Sequence, residues 1–256
     1  MWPTPSTSHV CFDRVYEPAE DSYLLLDTLS STSETAFLRH RFKSGDNSST
    51  PPLVLEVGVG SGVVLAFIAA NAHAIFRRQD VLTLGTDINS FACKAAAQTV
   101  KKAIQERKHG RTVFLDVVNG DLATVVRPRS VDVLIFNPPY VPAEMPDFSR
   151  HDVHNAIPQG KTQTSFEQDS YLLELSYAGG KDGMVVTNRM LEQLPDVLTK
   201  GTGVAYLLLC AQNQPEVVKQ HIRAWGMGWQ AETVGASGKK AGWEKLVIVR
   251  IWKSEH

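Results

Sequence analysis

The amino-acid sequence predicts an α/β protein in which a mostly parallel sheet carries helices on both faces. After Pro52, short apolar runs alternate with longer stretches of helical pattern, which is typical of such a sheet. The last two apolar runs are joined by a turn-rich segment and predict an antiparallel hairpin that closes the sheet. The chain has 256 residues, of which 43% are hydrophobic, and this suffices for the core of one large domain.

Seven strands and six helices are predicted from these patterns. The predicted strands cover residues 53–57, 81–86, 112–117, 131–136, 204–210, 229–234 and 245–252. The first helix follows the segment EPAED at 17–21, because proline and acidic residues favour a helix start, and it should end near Leu29. The other predicted helices cover residues 63–74, 91–106, 170–177, 184–198 and 215–225.

The predicted domain organisation is a mobile segment at 1–15 followed by a single domain at 16–256. Two insertions are expected to be loops, at about 30–52 and 141–170. The first is rich in Ser, Gly, Asn and Pro, although Ser31 and Glu34 have the spacing of a capping box for a short helical extension. The second has no periodic pattern over most of its length, which indicates a lid or a disordered stretch.

The amino-acid composition argues against several classes of function and indicates the cellular compartment. The net charge of −1 lacks the basic excess that a large nucleic-acid footprint requires. Cys11, Cys93 and Cys210 form no CxxC pair, which argues against a zinc cluster or a disulfide framework and predicts three buried thiols. No apolar run reaches membrane-spanning length, and no signal-peptide pattern opens the chain. We expect a cytoplasmic protein, with the nucleus as an alternative.

A glycine-rich turn joins the first predicted strand to the helix after it. Residues 55–62 read LEVGVGSG, so Gly58, Gly60 and Gly62 follow the strand directly. Glycines allow the backbone to turn sharply and to approach a ligand closely. The spacing is GxGxG rather than the GxGxxG of dinucleotide sites, and the preceding Glu56 could accept a hydrogen bond from the amino group of an amino-acid-bearing cofactor. A plain turn remains the alternative.

Acidic residues also follow the second and third predicted strands. Asp87, with Ile88 after it, occupies the position from which an acid binds ribose hydroxyls, although it could instead cap the next helix. Asp121 and Leu122 are placed to contact the edge and the face of an adenine. Because open α/β sheets bind ligands beyond the carboxyl ends of their strands, these residues predict a nucleoside pocket.

The fourth predicted strand ends in Asn137, Pro138, Pro139 and Tyr140. Two prolines fix the backbone, which leaves the asparagine side-chain oxygen and a proline carbonyl to accept hydrogen bonds. A planar NH2 group held by both acceptors would have its nitrogen lone pair aimed at an electrophilic methyl group. Tyr140 could stack on that plane and attract a sulfonium. The alternative is a strand that ends in a proline turn, with Tyr140 in the core.

From about Asp13 onward the chain resembles the HemK-like glutamine methyltransferases, in their eukaryotic and archaeal branch. The resemblance covers the segment VYEPAEDS at 15–22, the 55–62 turn, TDIN at 86–89, GDL at 120–122, FNPPYV at 136–141 and AGGKDG at 178–183. It implies a Rossmann-like class I methyltransferase fold with a seven-stranded sheet.

The resemblance also implies an activity and a set of site residues. The cofactor would be S-adenosylmethionine, and the substrate would be the glutamine of the Gly-Gly-Gln motif in a class I translation release factor. The residues that would bind or frame the cofactor are Ser22, Glu56, Gly58, Asp87, Asp121, Leu122 and Asn137. Asn137 and Pro138 would also hold the substrate amide.

A heterodimer with a small zinc-binding activator subunit is the third implication. The predicted strand at 112–118 is apolar, and a bare apolar edge strand favours pairing with a partner. From the sequence alone, a strand buried inside the sheet explains the same pattern.

Other readings are less well supported. An exocyclic amine of a nucleobase is also a planar NH2 group, but the chain shows no separate domain for recognising a flipped base. A nicotinamide oxidoreductase lacks its glycine spacing here, and a catalytically silent scaffold would not need the pocket residues. His151, His154, Glu167 and Asp169 could suggest a metal, but a solvated lid fits better, and no metal site is expected.

Overall fold

The protein is described by a computed structural model over residues 2–43, 50–107, 112–158, 164–226, 228–238 and 245–254. Over these ranges, seven strands form one sheet in the order β3-β2-β1-β4-β5-β7-β6. The strands are β1 (Leu53–Val57), β2 (Leu82–Asp87), β3 (Val113–Asn119), β4 (Val133–Phe136), β5 (Val204–Cys210), β6 (Trp229–Ala236) and β7 (Leu246–Lys253). The first five are parallel and the last two pair antiparallel, which confirms the predicted fold class.

Within the described residues, eight α-helices connect and cover the strands. They are α1 (Glu20–Ser30), α2 (Thr32–Arg41), α3 (Val63–Phe76), α4 (Ser90–Glu106), α5 (His151–Asn155), α6 (Phe166–Glu174), α7 (Val185–Val197) and α8 (Pro215–Ala224). No helix among the described residues is long and apolar enough to cross a membrane.

The core lies on both faces of the sheet, because successive strand residues point to opposite sides. On one face, Val133 and Ile135 of β4 pack with α1, α2 and α3. On the other face, Leu134 and Phe136 pack with α7 and α8. Because both faces of β4 and β5 are buried, these strands are continuous apolar runs. This pattern allowed both strands to be predicted from the sequence.

The expectation of a loop at 30–52 is wrong for residues 32–41, which form α2. Ser31 caps this helix by accepting a hydrogen bond from the Glu34 backbone at 3.2 Å, as the capping-box spacing suggested. The buried Glu34 carboxylate forms an ion pair with Arg250 of β7 at 2.9 Å and accepts a hydrogen bond from Tyr206 of β5 at 2.8 Å. These partners are more than 170 residues away in sequence, so a local reading could not find them.

The insertion at 141–170, apart from residues 159–163, which lie outside the described residues, contains more regular structure than the predicted irregular stretch. It contains a 3-10 turn at Phe148–Arg150, the short helix α5 and the beginning of α6. Ser90 anchors α5 to the start of α4, because its backbone N–H donates to the Asn155 side chain at 2.7 Å. Gln168 of α6 donates to the His154 carbonyl at 2.6 Å, so α5 and α6 pack together above the sheet.

Residues 2–18 form neither helix nor strand, but they contact the domain along much of their length. Val10 and Val15 are buried, and the Asn89 side chain donates to the Arg14 carbonyl at 2.8 Å. The mobility of residues 1–15 stays a prediction. One cysteine differs from expectation: Cys93 and Cys210 are buried, whereas Cys11 is exposed because it lies in this surface segment.

Candidate active site

A cavity of about 340 Å³ opens at the carboxyl ends of the central parallel strands. The loops that follow β1, β2, β3 and β4 all contribute to its lining. The strand order reverses here, since β2 lies on one side of β1 and β4 on the other. This reversal point is where open α/β sheets bind ligands.

The glycine turn after β1 forms the floor of this cavity. Gly58 and Gly60 line it with positive φ values of 65° and 49°, a conformation that side chains disfavour. A Cβ added at Gly60 would have no atom within 4 Å beyond its chain neighbours, so at this position the backbone itself faces the cavity. Gly62 does not line the cavity: a Cβ there would lie 2.6 Å from the Ala96 Cα, so this glycine permits the close contact between α3 and α4.

Glu56 is buried at the end of β1 with its carboxylate beside the cavity. One carboxylate oxygen accepts a hydrogen bond from the Leu65 backbone N–H at 2.7 Å. Burial raises the pKa of Glu56 well above its usual value, and the nearby Asp87 adds to this increase, although the Leu65 hydrogen bond opposes it. A cationic group bound here would favour the ionised carboxylate.

Asp87 ends β2 and holds the glycine turn in place. Its two carboxylate oxygens accept hydrogen bonds from the backbone N–H groups of Gly60 at 2.9 Å and of Asn89 at 2.8 Å. Burial raises the pKa of Asp87 to about 6 despite these bonds. The alternative role of helix cap belongs to Asn89, whose side-chain oxygen accepts from Phe91 at 2.9 Å at the start of α4.

The far end of the cavity is framed by Ile88, Asp121 and Leu122. Leu122 is buried with a φ of 52°, and its carbonyl accepts from the Thr86 hydroxyl at 2.9 Å, which fixes this unfavourable backbone conformation. Asp121 is partly exposed and forms an ion pair with Arg189 of α7. Arg189 also lines the cavity, and sequence reasoning gave it no role because it is 68 residues from Asp121.

The diproline corner, residues 137–140, also lines the cavity. The Asn137 Nδ2 donates to the Asp21 carboxylate at 3.0 Å. The Asn137 Oδ1 is buried and accepts no hydrogen bond from the described residues. Tyr140 is half-buried: it packs against the core and also lines the cavity. Its predicted stacking on a substrate group stays a prediction.

A second segment holds the corner from behind. A Cβ at Gly179 would overlap the Pro139 carbonyl oxygen, and a Cβ at Gly183 would overlap that of Tyr140. The buried Asn213 donates from its Nδ2 to the Asp182 carbonyl at 3.0 Å and to the Tyr140 carbonyl at 3.3 Å. Close backbone packing is therefore the physical reason for glycines in the AGGKDG segment.

The structure brings almost all of the residues that the sequence singled out to this one cavity. Those that line it are Ser22, Glu56, Gly58, Gly60, Asp87, Ile88, Asp121, Leu122, Asn137, Pro138, Pro139 and Tyr140. Gly62 is the exception, as a packing residue. Asp21 also lines the cavity but was not predicted as a site residue. It is the last residue of the EPAED motif at 17–21 and directly precedes Ser22, so this motif was the signal that could have identified it.

The insertion at 141–170 contributes Met145, Pro146 and Phe148 to the cavity wall. Its polar side chains serve packing: His154 is buried and stacks on Tyr171 with 4.9 Å between ring centroids. Glu167 pairs with Arg150, and Asp169 pairs with Arg14 at 3.3 Å. Among the described residues, no three His, Cys, Asp or Glu side chains are grouped to hold a metal ion.

Comparison with known proteins finds relatives along nearly the whole chain. Methyltransferase HEMK2 of Homo sapiens is 32% identical over 255 residues, covering 98% of this chain and 97% of the relative. The eRF1 methyltransferase catalytic subunit mtq2 of Schizosaccharomyces pombe is 31% identical over 256 residues, covering 99% and 96%. Release factor glutamine methyltransferase of Caulobacter vibrioides is 26% identical over 173 residues, covering 68% and 50%. No family model matches the chain.

The support from Asn213 can be tested by substituting Asn213→Asp. A carboxylate cannot donate, so it would face the carbonyls of Tyr140, Asp182 and Gly183 with acceptors only. We expect the free energy of unfolding, measured by urea denaturation, to fall by about 1–3 kcal/mol. The exposed neighbour provides the control: Gln212→Glu should change it by less than about 0.5 kcal/mol. Equal effects of both substitutions would contradict the assigned role.

Proposed function

The chain belongs to the HEMK2 family of protein glutamine methyltransferases, and on this premise we propose that it methylates a glutamine side chain of a class I translation release factor. S-adenosylmethionine is the methyl donor, and the side-chain nitrogen of the glutamine in the Gly-Gly-Gln motif is the acceptor. Modification of a nucleobase amine is less favoured, because the relatives at this similarity are named for a release factor and for glutamine.

One observation carries the proposal: a buried acceptor without a partner belongs to Asn137, a residue that lines the same cavity as the buried carboxylates. Asn137 Oδ1 has no hydrogen-bond partner among the described residues, and such an atom is costly unless a ligand supplies a donor. Glu56 and Asp87 lie at the same cavity, and both have raised pKa values. Perturbed carboxylates and a free acceptor in one cavity indicate a functional site.

The cavity residues fit S-adenosylmethionine in chemistry. Glu56 would accept from the cationic amino group of the methionine part, and the ribose hydroxyls would donate to Asp87. Gly58 and Gly60 leave room for close approach of the ligand to the backbone. Ser22, Ile88, Asp121 and Leu122 would frame the rest of the ligand, with Leu122 against the adenine face. The lining combines a majority of apolar residues with a smaller set of polar and charged ones, as is usual for ligand pockets.

The corner residues would orient the substrate amide. The bound donor supplies an electrophilic methyl group on a sulfonium. Asn137 Oδ1 and the Pro138 carbonyl would each accept one N–H of the glutamine NH2, which holds the nitrogen in line for attack. As the N–C bond forms and the S–C bond breaks, the nitrogen loses electron density and both N–H groups become stronger donors, so the two acceptors stabilise the transition state more than the ground state. The sulfur leaves as a neutral thioether, and the methylated nitrogen releases one of its two protons to solvent. Tyr140 would pack on the amide plane.

The proposed function is tested by transfer of a labelled methyl group from S-adenosylmethionine to purified release factor and, separately, to duplex DNA. We expect label on the release factor only, located by mass spectrometry at the glutamine of Gly-Gly-Gln. Asn137→Ala should reduce the rate by roughly 10²–10³-fold, since one positioned transition-state acceptor is lost. Asn188→Ala, an exposed asparagine on α7, is the matched control and should have no effect.

Label on DNA alone would overturn the proposal for the substrate. Normal transfer by Asn137→Ala would overturn the assigned mechanism, even if the substrate were right.

The raised pKa of Asp87 predicts a pH dependence of cofactor binding. Without ligand, the Asp87 carboxyl has a pKa of about 6, and below this pH it is protonated and loses acceptor capacity. Ribose hydroxyls bind the ionised form better, so affinity should fall by up to roughly tenfold per pH unit as the pH drops through this pKa. Titration calorimetry from about pH 7.5 to about pH 5 measures this.

The same linkage requires proton release when the cofactor binds near the pKa of Asp87. Calorimetry in buffers that differ in ionisation enthalpy detects the released protons. An affinity that stays constant over the whole pH range, with no proton release, would contradict the assignment of Asp87 as a cofactor ligand.

For the partner, the proposal is a small zinc-binding activator subunit that pairs with β3. This strand is one edge of the sheet, and its Val113, Leu115 and Val118 side chains are 46%, 49% and 37% exposed. An exposed apolar edge strand favours pairing with another chain, and covering it would keep the protein from aggregating. A release factor acts at the ribosome, so the same proposal places the enzyme in the cytoplasm.

The proposed partner surface is tested by Leu115→Arg in cells that co-express the activator. We expect loss of co-purification and of activity, with a change in the free energy of unfolding below about 0.5 kcal/mol because the side chain is exposed. Val217→Arg, at an exposed position of α8, is the control and should leave the complex intact. A soluble, fully active wild-type monomer would contradict the need for a partner.

A further inference from the structure

Asp21 is an acidic side chain that the reaction described above does not use. It is the second residue of α1, it is only 3% exposed, and it lines the cavity beside the diproline corner. Burial of a carboxylate is costly unless hydrogen bonds compensate it. The contacts of Asp21 therefore show what the position is used for.

Three donors converge on this carboxylate. Its Oδ1 accepts from the Ser22 backbone N–H at 2.5 Å and from the Ser22 hydroxyl at 3.2 Å. Its Oδ2 accepts from the Asn137 Nδ2 at 3.0 Å. The carboxylate thus connects the start of α1 with the corner residue, which lies 116 positions later in the chain.

An ionised carboxylate can only accept hydrogen bonds, and this property determines how the neighbouring Asn137 side-chain amide is oriented. The oxygen and nitrogen ends of a side-chain amide have nearly the same shape, so an asparagine can bind in either of two flipped orientations. Beside a carboxylate, only the orientation with the NH2 end toward Asp21 avoids contact between two acceptors. The Oδ1 end then points away from Asp21, as the acceptor that lacks a partner among the described residues.

From these contacts we propose that Asp21 is a positioning residue, which fixes the flip of the Asn137 amide so that Oδ1 is presented to the N–H of the substrate. This inference rests on the proposed function, in which Asn137 accepts from the glutamine amide. With the amide flipped, Asn137 would present donors to a donor, and the glutamine nitrogen would lose one of its two restraints.

A purely structural role is the competing explanation. Acidic residues in the first turn of a helix stabilise it through the helix dipole, and Glu20 and Asp21 both lie in the first turn of α1. Glu20 is exposed and does not line the cavity. Glu20→Gln therefore removes a first-turn charge without touching Asn137, which makes it the matched control.

The main test variant is Asp21→Asn, which keeps the shape of the side chain and one acceptor oxygen for Ser22. Its NH2 group would face Asn137, so the Asn137 amide should flip to offer its oxygen. We expect kcat with release factor to fall by roughly 10²-fold, while the dissociation constant of S-adenosylmethionine changes by less than about threefold. Glu20→Gln should leave both unchanged.

A double-mutant cycle tests whether Asp21 acts through Asn137. If it does, adding Asp21→Asn to Asn137→Ala should cost less than about threefold beyond the single Asn137→Ala loss. A full additional loss would overturn the inference, because Asp21 would then act elsewhere. A normal kcat for Asp21→Asn would overturn it as well.

A third readout does not depend on catalysis. In protein labelled with ¹⁵N-asparagine, the Asn137 side-chain NH2 signals, assigned by their loss in Asn137→Ala, should exchange slowly with solvent in the wild type and in Glu20→Gln. In Asp21→Asn they should shift and exchange faster. Unchanged signals would overturn the inference. If Asp21→Asn does not fold, Asp21→Ser, whose hydroxyl is too short to reach Asn137, takes its place with the same expected outcomes.

Failure of this inference is distinguishable from failure of the proposed function. If wild-type enzyme transfers no methyl group to the release factor, the proposed function fails, yet the NMR signals still report whether Asp21 holds the amide. If transfer occurs and depends on Asn137 but not on Asp21, only the positioning role fails.

Discussion

The parallel pairing of β1 with β4 is the constraint on which the site depends. The register sets Val57 opposite Phe136, so the chain leaves both strands at the same level and the glycine turn begins beside the diproline corner. A Cβ on Gly58 would lie 3.9 Å from the Asn137 carbonyl oxygen, which shows how closely the two loops approach. A register shift of one residue would turn Glu56 away from its present side of the sheet and separate the glycine turn from the diproline corner.

Burial of the Glu56 and Asp87 carboxylates costs solvation free energy, and a bound ligand can offset part of this cost. Glu56 and Asp87 are buried near each other, and both pKa values are raised, chiefly by burial. Backbone N–H groups of Leu65, Gly60 and Asn89 satisfy part of their hydrogen-bonding capacity and fix their orientation. A ligand that brings a positive charge and hydroxyl donors compensates the rest, so the pocket is preorganised for that chemistry.

The diproline corner is rigid because it is restrained from two sides as well as by its own rings. Behind it, the backbone at Gly179 and Gly183 packs so closely that no side chain would fit, and Asn213 binds the carbonyls of both segments. In front of it, Asp21 engages the Asn137 amide. Rate enhancement by orientation requires such support, because loss of position by about 1 Å can cost two orders of magnitude.

Local sequence determined most of the strands and the chemistry of the site. The buried strands β4 and β5 are continuous apolar runs, and β1 is apolar except for Glu56. The residues at the ends of the central strands, from Glu56 to Tyr140, are of types that indicate their use, because few other residues supply the same acceptors or backbone freedom. For β3 the sequence left an edge strand and a buried strand equally open, and the strand order places it at the edge.

Tertiary structure decided what depends on distant partners. The ion pair of Glu34 with Arg250 anchors α2 where composition indicated a loop, and Arg189 reaches Asp121 from α7. Gly62 was grouped with the ligand glycines by its spacing, but its neighbour is Ala96 of α4, so it serves helix packing. The link between Asp21 and Asn137 spans two elements in the same way. Sequence patterns encode local conformation and chemical type, whereas which side chains meet across the fold is settled only when the elements pack.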